Sequence, residues 1–270
     1  MSLVLFRALL KRNTKLIAGY GIGSSLYLLM MAAIFPSIKT ALEAKMELYE
    51  DMPEGFRAAF GMENGMAIQN VTDVLSMQYY SLIFLLLMTL FTLSLAGKML
   101  AHFMEQGSMA YLLSAPIRRT TVLGTLMAVF LTGLFIVIAL NVLFSFAGGW
   151  LVGEPIGNGG AFLTLHVMGF LLFAAVGGYC FLLAVLTGDE RKTVAYAGGL
   201  TLVFYALDLI GKLSDTFASK RYASVFYWFQ PNEILDGTAS FLNAVLVYAA
   251  IGVVCYVLAL VLFRRKSMML

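Results

Sequence analysis

Six apolar runs of about 18 residues or more decide what this chain can fold into. They cover residues 16–35, 77–96, 122–152, 161–187, 193–210 and 242–263. A bilayer's hydrocarbon core needs about 20 apolar residues in helical form. Inside it, backbone N–H and C=O groups must pair within their own segment, so each run is expected to be an α-helix. Only 12% of the 270 residues are charged and 61% are hydrophobic, whereas soluble domains average about 25% charged. The expectation is an all-α integral membrane protein, one transmembrane domain over 1–270 with six transmembrane helices. The first run is too long for a signal peptide, whose apolar core is about 7–15 residues. Residues before it carry Arg7, Lys11, Arg12 and Lys15 without an acid, which suits a helix lying on the membrane surface.

Charge sets the expected orientation. Twelve of the 18 basic residues fall in the two termini and in the connections after runs two and four, with only three of the 15 acids. One side thus sums to +9 and the other to −6. Lys and Arg near spans stay in the cytoplasm, so both termini are expected to be cytoplasmic. The acidic outer loop 36–73 should hold short helices, and its Asn70-Val71-Thr72 fits a glycosylation sequon. The outer segment 213–242 centres on Phe226-Tyr227-Trp228-Phe229-Gln230-Pro231, aromatics suited to the interface and broken by proline. Trp228, Phe229 and Pro231 are candidates for an outer gate, with simple interfacial anchoring the competing reading.

Little else offers chemistry. His102 and His166 are the only histidines, and no phosphate loop, zinc-protease motif or nucleophile elbow occurs. No catalytic, cofactor-binding or metal-ligating residue is assigned, and the inner connections are too short for nucleic acid. Cys180 and Cys255 each sit inside an apolar run. Asn141, in the middle of run three, is read as an interhelical hydrogen bond, with a pathway contact to substrate as the second possibility. Gly19 and Gly23 form a GxxxG pair, and Gly148-Gly149, Gly177-Gly178 and Gly198-Gly199 point to close helix packing. Asp208 and Lys212 are spaced to pair along one helix face.

The stretch Met104–Gly124 stands apart. Gly107 opens it, Met109, Leu112 and Leu113 recur at one-turn spacing, and Ala115-Pro116 ends the helix because a residue before proline is pushed out of the α region. Arg118 and Arg119 follow, suited to anionic headgroups. This is a short amphipathic helix between spans two and three. It is either a loop on the lipid surface or a docking element for a soluble partner.

The order of these elements, with Glu105-x-Gly107-Ser108, Leu112-Leu113-Ser114, Pro116 and Arg119, resembles the ABC-2 type permeases, membrane subunits of bacterial ABC exporters. Phe229–Gly237 also resembles that family's outer segment before the last span. The sequence departs from the family pattern at Met104, Ala110-Tyr111 and Thr125. The resemblance implies a six-helix ABC-2 permease fold in the inner membrane and a dimer of permease subunits. Two separate ABC ATPase subunits would hold ATP and Mg, none of it bound by this chain. The 105–116 stretch would be the coupling helix. The implied activity is export of a peptide, lipid or drug-like substrate. An ATP-independent immunity or structural protein that binds a peptide, and an atypical lipid-processing enzyme, remain as alternatives.

Overall fold

The computed structural model describes residues 2–43, 70–105, 118–154, 156–213 and 215–266. It is all-helical, with six helices long and apolar enough to cross a membrane. They are α1 (Leu3–Glu43), α2 (Val71–Glu105), α3 (Arg119–Val152), α4 (Gly159–Thr187), α5 (Glu190–Leu213) and α7 (Phe241–Arg265). Between α5 and α7 lie two 3₁₀ segments, Asp215–Ala223 and Val225–Trp228, and a short helix α6 (Pro231–Leu235).

Each helix outruns its apolar run. Helix α1 takes in both the basic leader and Pro36, so the expected surface helix and first span are one element. Proline removes one hydrogen bond, but the remaining backbone groups are still best paired by continuing the helix. Helix α2 starts at Val71 rather than at residue 77. Asn70 caps it: its side chain accepts from the Asp73 N–H while Asp73 accepts from the Asn70 N–H. The same helix carries Lys98, His102 and Glu105. Two stretches of α2, Leu75–Ile83 and Leu93–Gly97, are π-helical; each wider turn resets which face meets its neighbours. The short helices expected in the outer loop fall on 44–69, outside the described residues. Helices α3 and α4 stop at Gly153 and Gly188, both left-handed (φ 78° and 67°), a conformation glycine adopts without Cβ strain.

Helix α4 is the centre. In its apolar window 67% of residues are buried, against 22% for α5 and 17% for α7. Helix α7 lies along α4, α3 crosses it, and α1 lies along α3. The glycines explain the closeness. A Cβ on Gly177 would overlap the Phe130 ring of α3, and one on Gly169 would sit 2.9 Å from the Phe84 ring of α2. A Cβ on Gly178 would sit 3.3 Å from the Gly252 carbonyl oxygen of α7, and one on Gly148 would sit 2.9 Å from the Ala32 Cβ of α1. Gly199 meets nothing within 4 Å, so the last glycine pair does not serve packing as the others do. Both cysteines are free thiols, Cys180 buried and Cys255 half-buried.

Overpacking a fitted core costs about 1–3 kcal/mol. Gly177→Ala should therefore lower the unfolding midpoint in detergent, and Gly199→Ala should not. Equal midpoints for the two variants would refute the interlock of Gly177 with Phe130.

Candidate functional site

At the basic end of the bundle, the candidate docking residues Gly107, Ser108, Met109, Leu112, Leu113, Ser114 and Pro116 lie outside the described residues. The two ends of that segment are described. Glu105 Oε2 accepts the Glu190 backbone N–H at 2.9 Å, so this carboxylate sits at the positive N-terminus of α5. The sequence suggests instead a cap on the short helix, or a basic partner. Glu190 in turn receives His102 Nδ1 at 2.9 Å and approaches Lys98 Nζ at 3.9 Å. On the far side, Arg119 donates to the Lys266 carbonyl at 2.8 Å. Lys266 Nζ caps the end of α4, donating to the Val185 and Leu186 carbonyls, and burial there lowers its pKa. Arg118 is exposed. The helix ends flanking residues 106–117 are thus fastened, that of α2 to α5 and that of α3 to the tail of α7.

Asn141 is fully buried on α3. Its Oδ1 accepts from Ser24 at 2.7 Å and Ser25 at 3.2 Å on α1, so it makes an interhelical hydrogen bond. Its Nδ2 and the Tyr79 hydroxyl are the two buried polar side-chain atoms without a hydrogen-bond partner among the described residues. A second buried chain links three helices. His166 Nδ1 lies 2.8 Å from the Phe162 carbonyl, which assigns the proton to Nδ1. Nε2 is then the acceptor for the Tyr80 hydroxyl at 2.9 Å, and Ser145 lies 3.4 Å from that hydroxyl. The sequence does not single out Tyr80 or Ser145. The available signal is a lone histidine inside an apolar run, which demands a partner from another helix.

Comparison with protein-family models, curated proteins and solved structures finds no match. Function therefore rests on the chain's own chemistry. Among the described residues, no three His, Cys, Asp or Glu side chains gather to hold a metal.

The opposite end carries the aromatic segment. Phe229 is buried and stacks on Phe84 (5.9 Å, 25°), and Pro231 opens α6 in a buried position. Trp228 is half-buried against the same core. Polar ties hold the segment in place. Asn232 accepts from Ser76 at 2.6 Å, Tyr248 donates to the Val225 carbonyl at 3.0 Å, and Ser224 donates to the Phe204 carbonyl at 2.6 Å. Asp208 pairs with Lys212 at 3.5 Å, as its spacing suggests, and with Arg221 at 3.1 Å. The segment is therefore seated into the bundle between α2, α4, α5 and α7.

Removing one partner of a buried hydrogen bond costs about 1–3 kcal/mol when the other is stranded. Tyr80→Phe strands His166 Nε2. Asn141→Leu, close in volume, removes an orphaned donor, and Ser24 already reaches the Gly21 carbonyl at 3.2 Å. Tyr80→Phe should therefore destabilise more than Asn141→Leu in denaturant titrations. The opposite ranking would make the Asn141 bond the more important tie.

Proposed function

We propose that this chain is the membrane-spanning permease subunit of an ATP-driven exporter of the ABC-2 type. In this reading it works as a dimer in a bacterial inner membrane, with both termini and the α2–α3 connection cytoplasmic. Two separate ATPase subunits, carrying ATP and Mg, dock on the basic end. The cargo class is a peptide, lipid or drug-like molecule.

The observation that carries the reading is how the two flanks of residues 106–117 are held. The sequence of that segment resembles a coupling helix, and its flanks are tied to other spans: Glu105 to the start of α5, Arg119 to the end of α7. A push by a docked ATPase on such a segment is delivered to α5 and α7 as well as to α2 and α3. Helices α5 and α7 bury the smallest share of their apolar windows, so most of their surface is turned away from the rest of the bundle. They also flank the aromatic segment at the far end. Movement of the pair would loosen Phe229 from Phe84, and this gives Trp228, Phe229 and Pro231 the part of an outer gate. Met109, Leu112 and Leu113 supply apolar anchors of the kind that dominate helix-in-groove contacts.

The test is Leu112→Asp with Leu113→Asp, followed by purification of the complex. The double variant should insert and dimerise normally, lose the ATPase subunit and stop transporting. Normal ATPase stoichiometry with normal transport would leave the segment a surface loop. Failure of the wild-type chain to carry any ATPase would favour the peptide-sequestering alternative. A cysteine at Asn158 should react with an impermeant thiol reagent in intact cells, and one at Ser267 should not; the reverse pattern would invert the orientation.

A further inference from the structure

Helix α1 lies along α3 and touches α2 at few residues. A cleft is left between α1 and α2. Its apolar part, about 530 Å³, is lined by Leu16, Gly19, Tyr20, Gly23, Ile83 and Leu87. A polar pocket of about 210 Å³ follows, lined by Arg12, Asn13, Ser94, Lys98, His102 and Glu190. On α1 the polar pocket is lined by Leu9, Arg12 and Asn13 and the apolar part by Lys15 to Tyr27, so the two cavities follow one another along that helix.

The pocket is built for an anion. Arg12 lies over the Phe103 ring, 5.0 Å from its centroid, and pairs with no carboxylate among the described residues. Glu190 is the one acid lining the pocket, and its Oε2 is taken by His102. Lys98 is 3.9 Å from the other oxygen and half exposed, so its charge is only partly matched. Lys15 lies beside the mouth of the apolar part. The groove above is equally open. A Cβ on Gly19 or Gly23 would meet nothing within 4 Å, so no helix among the described residues packs on that flat face.

We propose that this cleft binds one anionic phospholipid, its phosphate between Arg12 and Lys98 and an acyl chain along the Gly19–Gly23 face. Arg12 and Lys98 stand just beyond the apolar runs that begin at residue 16 and end at residue 96, which is headgroup depth. In a bilayer the acyl chain only exchanges one apolar neighbour for another, so the groove contributes shape and little preference. Preference comes from the head, at about 1 kcal/mol per basic residue near the surface, which is about fivefold in binding for each cation. This site is independent of any ATPase partner.

The experiment uses the full chain, purified in a zwitterionic detergent with equal amounts of phosphatidylglycerol and phosphatidylcholine. Retained lipid is counted by native mass spectrometry, and unfolding midpoints are recorded alongside. One phosphatidylglycerol per chain should be retained in preference. Arg12→Gln should cut that preference about fivefold, and Arg12→Gln with Lys98→Gln should abolish it. Arg12→Lys with Lys98→Arg should keep it. Gly19→Leu should lower retention of both lipids, since its side chain enters the groove and its Cβ meets no atom of the fold. Equal retention of the two lipids by the wild-type chain would overturn the proposal, as would a double Gln variant that keeps the preference. If that double variant fails to fold, the exposed Arg12→Gln alone decides. Glycerol 3-phosphate raising the midpoint as much as phosphatidylglycerol would make the ligand a free phosphate ester and not a lipid. Gly19→Leu that splits a dimer but leaves lipid retention unchanged would assign the face to a second copy.

Discussion

The fit of aromatic rings into glycine positions on α4 is what the rest of the bundle depends on. Phe84 from α2 seats at Gly169, Phe130 from α3 seats at Gly177, and Gly178 brings the α7 backbone at Gly252 into contact. In lipid, apolar surface gains little by leaving its surroundings for another helix. Dispersion between well-fitted atoms has to supply much of the association, and it falls steeply with any gap. Small residues opposite large rings are how a helix pair closes that gap. The consequence is a bundle gathered on α4, with α5 and α7 turning most of their apolar surface away from it.

Polar atoms do a different job. His166, Tyr80 and Ser145 join α4, α2 and α3 at one level, while Asn141 with Ser24 and Ser25 joins α3 to α1. The aromatic segment between α5 and α7 is not a regular helix, and such backbone survives at a membrane only where protein surrounds it and its groups are paired. The bonds from Tyr248 to Val225, Ser76 to Asn232 and Ser224 to Phe204 meet that condition. Phe229 adds a ring to the same aromatic cluster that packs α2 against α4. Opening this segment would therefore disturb the core, and this links its position to whatever moves α5 and α7.

The basic end is organised around Glu190. One carboxylate receives His102 and approaches Lys98, and the backbone N–H beside it goes to Glu105. Helix α2 is thereby held to α5 by charge, and meets α1 only through scattered contacts such as Arg12 over Phe103 and Tyr20 on Phe91. That choice of partner leaves the α1–α2 cleft, with its unmatched Arg12 at the end and an unused glycine face along its length.

The sequence alone determined the class and the number of helices, because hydrocarbon leaves a backbone no alternative to the helix and proline, glycine or charge bounds each apolar run. It also marked Asn141 as an interhelical tie, Asp208 and Lys212 as a pair, and three glycine pairs as contacts, of which Gly148-Gly149 and Gly177-Gly178 are tightly packed, each from the poor solubility of its group in lipid or from its spacing. It did not reach the helix ends. Pro36, Lys98 and Glu105 read as boundaries or loops, yet lie within helices, because an intrahelical hydrogen bond outweighs one proline or one charge at the membrane edge. Which helix meets which was decided only by tertiary structure. Gly19-Gly23 and Gly177-Gly178 look alike on paper, but only the second receives a neighbour. The difference lies in the side chain opposite, Phe130 in one case and open space in the other, and that depends on residues more than 40 positions away along the chain.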